Sequence, residues 1–221
     1  RVQRSEHPEA WKPFAVLTAV IALRSIVYFG LVGFIPLYYV KVLHAGKTLG
    51  SAALTAMLVG GAVGTLIGGP LADRFGRRNV LIGSMLVLPA LVAGFLVSGP
   101  VLALVWAAIA GAATIATFAV TIVMGQEYLP GRIGVSAGVT IGLSIGLGGV
   151  GAPLLGLIAD AQGVRAVFET IALLPLLTLP VIMALPRRAP ATAPEQETRG
   201  AARNHEPSAL YPPQRDLSRS R

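Results

Sequence analysis

The chain contains no cysteine. That excludes a disulfide, a thiolate metal site and a cysteine nucleophile. Histidine is scarce: His7, His44 and His205 lie far apart and outside the apolar stretches, so no metal site is expected. No Ser/His/Asp set, phosphate loop or pair of catalytic carboxylates stands out, which argues against an enzyme and gives no reason to expect a cofactor. Charge is sparse too, at 13% of residues, while 54% are hydrophobic. With a mean hydropathy of +0.70, a chain of this size cannot hide its apolar surface in a water-soluble core. The class expected is a polytopic membrane protein in a lipid bilayer. The net charge of +8 does not point to a nucleic-acid partner, because the arginines fall in loops and in the tail, where membrane topology demands them.

What is present is a succession of apolar spans, at roughly 14–40, 48–72, 79–97, 100–124, 133–158 and 166–185, each long enough to cross a ~30 Å hydrocarbon layer as a helix. They are continuous rather than alternating, so they read as helices and not as barrel strands. The fold class is therefore all-α, with six transmembrane helices. Residues 1–13 are polar and read as a linker, and 187–221, rich in proline, alanine, arginine and glutamate, read as a disordered tail. The chain opens on Arg1 and is read as starting inside a longer protein. No cleavable signal is visible in it. Arg1, Arg4, Lys12, Arg74, Arg77, Arg78, Arg132, Arg187 and Arg188 fall on one side of the membrane, against Lys41, Lys47 and Arg165 on the other. The positive-inside rule then places both ends in the cytoplasm.

The stretch Gly68–Asn79, GGPLADRFGRRN, joins two of the spans through a very short basic loop. Asp73 sits where the second helix ends, and the free carbonyls there favour the nearby cations Arg74, Arg77 and Arg78, which are expected to pair with Asp73. Gly76 permits the turn. Gly69, Asp73, Arg74, Gly76, Arg77 and Arg78 resemble the loop signature of the major facilitator superfamily, roughly G-x-x-x-D-R-x-G-R-R. A second copy of part of this stretch occurs later. Ala72-Asp73, Gly76 and Arg78 are echoed by Ala159-Asp160, Gly163 and Arg165, and each set follows a G-x-P-L. The aspartates are 87 residues apart, a separation of three helices, so the two copies end helices on opposite sides. That is the pattern of a 3+3 inverted repeat, the unit within each half of a twelve-helix facilitator.

Small residues recur every fourth position on two helices: Gly60, Gly64 and Gly68 on the second, and Gly134, Gly138, Gly142 and Gly146 on the fifth. In lipid such spacing lets backbones approach closely. The resemblance implies that these faces form the seam with the other half, an N-terminal six-helix half absent from this chain. Packing within the six-helix unit is the other reading. The prolines Pro36, Pro89, Pro153, Pro175 and Pro180 lie inside spans and are expected to kink or break them.

Arg24 is the sharpest candidate for function. It lies midway along the first span, where a charge costs about 2.5–3.5 kcal/mol on insertion scales and should face the bundle interior. Tyr28 is one turn on, on the same face. Arginine is permanently charged and binds carboxylate or phosphate-like groups bidentately, so Arg24 and Tyr28 are read as contacts to a small-molecule substrate with a preference for anions. Glu127 and Arg132, beside Asp73 and Arg77, are expected to form a charge network that holds one access state. Glu169 reads as a carboxylate reaching the interface.

The segments RSIVYFGLVGFIPLYYV (24–40) and GQEYLPGRIGVSAGVTIGLSIGLGGVGAPLLGLIAD (125–160) are similar to the C-terminal half of fosmidomycin-resistance-type efflux transporters, over about residues 14–186. The resemblance implies proton-coupled drug efflux by alternating access from a bacterial inner membrane. Fosmidomycin is a phosphonate, which suits an intramembrane arginine. An uptake carrier for an organic anion on the same fold, and a non-transporting membrane scaffold, are the alternatives. The cost of Arg24 argues against the scaffold.

Overall fold

The computed structural model describes residues 10–185. The expected tail at 187–221 and most of the expected linker lie outside the described residues. Six helices follow one another: α1 (Trp11–Lys41), α2 (Gly46–Phe75), α3 (Arg77–Val97), α4 (Pro100–Tyr128), α5 (Ile133–Gln162) and α6 (Val164–Met183). All six are long and apolar enough to cross a membrane. The shortest, α6, has 20 residues, about 30 Å at 1.5 Å per residue. Consecutive helices are joined so briefly that each must run back against the last. Gly76 alone separates α2 from α3, and Gly163 alone separates α5 from α6.

Two expectations are corrected. Helix α1 already begins at Trp11, so the end of the expected linker is helical. Pro13 then sits in the first turn, where its missing N–H costs no hydrogen bond. The helices also run without interruption through Pro36, Pro70, Pro89, Pro153, Pro175 and Pro180, so none of these prolines breaks a span.

The repeat seen in the sequence has a counterpart in three dimensions. Gly76 ends α2 at φ 86° and Gly163 ends α5 at φ 89°, a left-handed conformation that glycine adopts without a Cβ penalty. Each donates its N–H back to the alanine of its own A-D pair, Gly76 to the Ala72 carbonyl at 2.9 Å and Gly163 to the Ala159 carbonyl at 3.0 Å. Helix packing follows the same symmetry. Helix α1 packs on α5 and α6 as α4 packs on α2 and α3, and α3 meets α6. Exchanging the first three helices for the last three leaves this pattern unchanged, which is the 3+3 arrangement.

The buried apolar side chains form two clusters. One gathers Tyr38, Tyr39, Phe95, Phe168, Met57 and Leu88. Its phenols are satisfied, Tyr39 Oη donating to the Pro100 carbonyl at 2.7 Å and Tyr38 Oη to that of Leu96 at 3.3 Å. The other gathers Phe14, Leu17, Met85, Tyr128, Leu129 and Ile182. Along α1 the second cluster ends at Ile21 and the first begins at Val27. Arg24 and Ser25 occupy the gap and are themselves buried. Large apolar side chains such as Leu66, Val97 and Val101 point outward, where lipid rather than water is the expected neighbour.

Candidate functional site

Arg24 is 3% exposed. Its Nη1 donates to the Thr114 carbonyl of α4 across a long 3.4 Å. That carbonyl also accepts the Thr117 hydroxyl at 2.7 Å, so Arg24 shares a neutral acceptor that is already engaged. The Phe118 ring lies 5.0 Å from the guanidinium carbon, a cation–π contact that offsets part of the desolvation. Among the described residues no carboxylate pairs with Arg24, and its Nε and the neighbouring Ser25 hydroxyl are buried without a hydrogen-bond partner. A full charge is thus held at mid-height of the bundle with donor capacity unspent.

These groups border a cavity of about 260 Å³. Helix α1 contributes Arg24, Ser25, Tyr28 and Phe29, α4 contributes Ile115 and Phe118, and α5 contributes Ser144 and Ile145. Glycines set the α5 wall. A Cβ on Gly151 would come within 2.8 Å of Ile26, and one on Gly148 would strike the Phe29 ring, so α5 approaches α1 this closely only because both are glycine. The cavity offers a cation, two hydroxyls and a phenol among apolar walls. That set suits a compact anionic group with an apolar remainder.

Sequence reasoning passed over Ser144. Ser136, Thr140 and Ser144 form a buried stripe on α5 at four-residue spacing, two residues along from the more conspicuous glycines and so on the opposite face. The signal was present as small hydroxyl residues repeating along one helical face.

The loop charges divide among several partners. Arg77, at the start of α3, forms an ion pair with Glu127 at the end of α4. Arg78 donates through Nε to the Ile182 carbonyl at 3.3 Å and through Nη2 to that of Met183 at 2.9 Å, tying α3 to the end of α6. Arg74 lies 5.7 Å from its neighbour Phe75, and Arg132 the same distance from Trp11. The expected pairing of Asp73 with the loop arginines is not found; among the described residues Asp73 makes no ion pair. Arg77 and Arg78 belong to the next helix, beyond the Gly76 turn, and their side chains are drawn to α4 and α6. Glu169 is exposed and pairs with Arg165 one turn away at 3.4 Å.

The two glycine faces behave differently. Gly60, Gly64 and Gly68 lie directly on the backbone of Ala108, Ala112 and Ala116 of α4, where any Cβ would collide. They are used inside the six-helix unit. Gly134, Gly138, Gly142 and Gly146 have open space where a Cβ would stand, as does Gly69.

The chain matches the Major Facilitator Superfamily over residues 17–221. It is 40% identical over 144 residues to the uncharacterized MFS-type transporter YfnC of Bacillus subtilis, covering 65% of this chain and 35% of that protein. It is 42% identical over 128 residues to the fosmidomycin resistance protein of Escherichia coli, covering 56% of this chain and 30% of that one. The chain thus spans about a third of the length of these curated relatives. Six membrane-spanning helices, an internal 3+3 repeat and a match over nearly the whole sequence lead to one assignment: the chain belongs to the Major Facilitator Superfamily, a family of multi-pass membrane transporters rather than enzymes.

Proposed function

We propose that this chain is the C-terminal six-helix half of an alternating-access transporter that exports a small anionic molecule at the expense of the proton gradient. The observation that carries the reading is Arg24, a buried cation without a carboxylate, facing a cavity with Ser25, Tyr28 and Ser144. A charge held at that cost in a membrane is a functional feature by default. Arg24 and Tyr28 contact the substrate, and a bidentate guanidinium suits a phosphonate, phosphate or carboxylate. Export rather than uptake rests on the similarity to a fosmidomycin resistance protein. No carboxylate on these helices lies in the cavity, so proton coupling falls to residues of the N-terminal half.

The Arg77–Glu127 pair, with Asp73, Arg74, Arg78 and Arg132 around it, closes the cytoplasmic side in one access state. The open glycine face of α5, with Gly134, Gly138, Gly142 and Gly146, meets the other half. Both ends of the chain face the cytoplasm of a bacterial inner membrane.

Drug susceptibility tests the reading in cells expressing the gene that encodes this chain. Wild type should raise resistance to a phosphonate antibiotic and leave an unrelated cationic drug unaffected. Arg24→Ala should abolish that resistance at unchanged membrane abundance, and Arg24→Lys should restore little, because lysine lacks the planar fork. Equal phosphonate resistance from wild type and Arg24→Ala would sink the anion-contact reading.

A further inference from the structure

Most buried serine and threonine hydroxyls in this fold are spent on their own helix. Thr114, Thr117, Thr121, Ser144 and Thr178 each donate to a carbonyl three or four residues back, at 2.7–2.9 Å. Apart from Ser25 in the Arg24 cavity, two do not. Ser136 and Thr140 of α5 are 0% and 1% exposed, and their hydroxyls have no hydrogen-bond partner among the described residues. Both instead face one spot on α4. A Cβ on Gly125 would stand 2.9 Å from Ser136 Oγ, 3.0 Å from Thr140 Oγ1 and 3.6 Å from the Phe14 ring of α1. The lack of a side chain at Gly125 is what lets α4 and α5 close over the two hydroxyls.

The contact lies between the Arg24 cavity and the Arg77–Glu127 pair. Along α4, Gly125 falls two turns beyond Phe118 of the cavity wall and just before Glu127. Along α5, Thr140 is one turn from Ser144 of the cavity wall, whose hydroxyl donates to the Thr140 carbonyl at 2.7 Å. A buried hydroxyl without a partner is unfavourable, and water satisfies it. The closed contact therefore works against itself. Parting α4 from α5 here breaks no hydrogen bond made by the Ser136 or Thr140 hydroxyl, and it lets water reach both. We propose that the α4–α5 contact at Gly125 is a gate poised to open, driven by hydration of Ser136 and Thr140. The Arg77–Glu127 pair at the end of α4 holds it shut, and this part alone rests on the closing role proposed for that pair. Once open, the contact gives water a way from that end of the bundle to the Arg24 cavity.

Cysteine accessibility tests this in the full-length product of the gene, with any cysteine outside these residues replaced by serine. Thr140→Cys should react with a small methanethiosulfonate reagent in membranes about tenfold faster than Thr178→Cys, which is also buried but has its hydroxyl bonded within α6. Arg77→Gln should speed the Thr140→Cys reaction about two- to fivefold, the effect of losing a partly exposed ion pair. Removing the hydroxyls gives a second readout. Thr140→Val and Ser136→Ala should each raise the unfolding midpoint by about 2–4 °C, because an unpaired donor leaves the core. Thr140→Cys labelling no faster than that of Thr178→Cys would overturn the proposal. So would a lowered midpoint in both hydroxyl variants, which would mark hydroxyls that are paired. Thr140→Cys labelling that exceeds the Thr178→Cys rate equally with and without Arg77→Gln would leave the hydration gate standing and remove only the closing role of the Arg77–Glu127 pair.

Discussion

Arg77 and Glu127 are the residues whose partnership is most open to direct test. Their side chains are 32% and 29% exposed, so the pair is partly screened and contributes modestly to stability, about 0.2–1 kcal/mol as for surface pairs. Its larger effect is on the balance of two access states, which a small energy can bias. Either Arg77→Gln or Glu127→Gln should lower transport with little loss of thermal stability, and the charge swap Arg77→Glu with Glu127→Arg should recover much of it. Additive losses in a double-mutant cycle would show that the two do not act together. Of the individual side chains, Arg24 was legible in the sequence because a charge inside an apolar run is conspicuous. Asp73 was misread, since proximity in sequence does not survive the Gly76 turn. Ser144 was missed because serines are common on small-residue helices, and only packing reveals which one faces the arginine.

At the level of the helix, the two glycine series make opposite predictions. Helix α2 rests on α4 through Gly60, Gly64 and Gly68, with backbone atoms of Ala108, Ala112 and Ala116 where a Cβ would go. Gly64→Ala should therefore destabilise the six-helix unit by about 1–3 kcal/mol, the cost of overpacking against a neighbour that cannot yield. Gly138→Ala or Gly142→Ala should leave its thermal unfolding unchanged, since nothing stands within 4 Å of the added carbon. Both should impair transport through the seam with the other half. Thermal unfolding of the purified variants in detergent separates the two series, and a strongly destabilised Gly142→Ala protein would contradict the open face. Periodicity revealed both small-residue faces but not their neighbours, because spacing along one helix carries no information about which helix approaches. Helix ends were placed up to a turn short for a related reason. Hydropathy falls at Asp73 and Arg74, while the backbone stays helical to Phe75.

At the scale of the whole molecule, the fold is a repeat that the sequence advertises through two short matches. The A-D-x-x-G pairs at Asp73 and Asp160 become two helix ends with the same left-handed glycine and the same back-bonded alanine. The order of packing then follows from the exchange of one helix trio for the other. The repeat leaves Arg24 without a charged counterpart: the 87-residue offset carries it to Gly111 of α4, one turn before Thr114, whose carbonyl accepts from Arg24. The asymmetry puts the single cation between two apolar clusters and beside a cavity of about 260 Å³.

Whether substrate occupies that cavity can be measured directly, because these 221 residues contain no cysteine and any in the N-terminal half can first be replaced by serine. A single Ser144→Cys substitution places one thiol in the cavity wall, and its rate of reaction with a small methanethiosulfonate reagent can be followed in membranes. Fosmidomycin should slow the labelling in a concentration-dependent way, and adding Arg24→Ala should remove the protection while leaving the unprotected rate intact. Labelling that fosmidomycin does not slow, in a Ser144→Cys protein that still confers resistance, would place the substrate elsewhere and contradict the role given to Arg24.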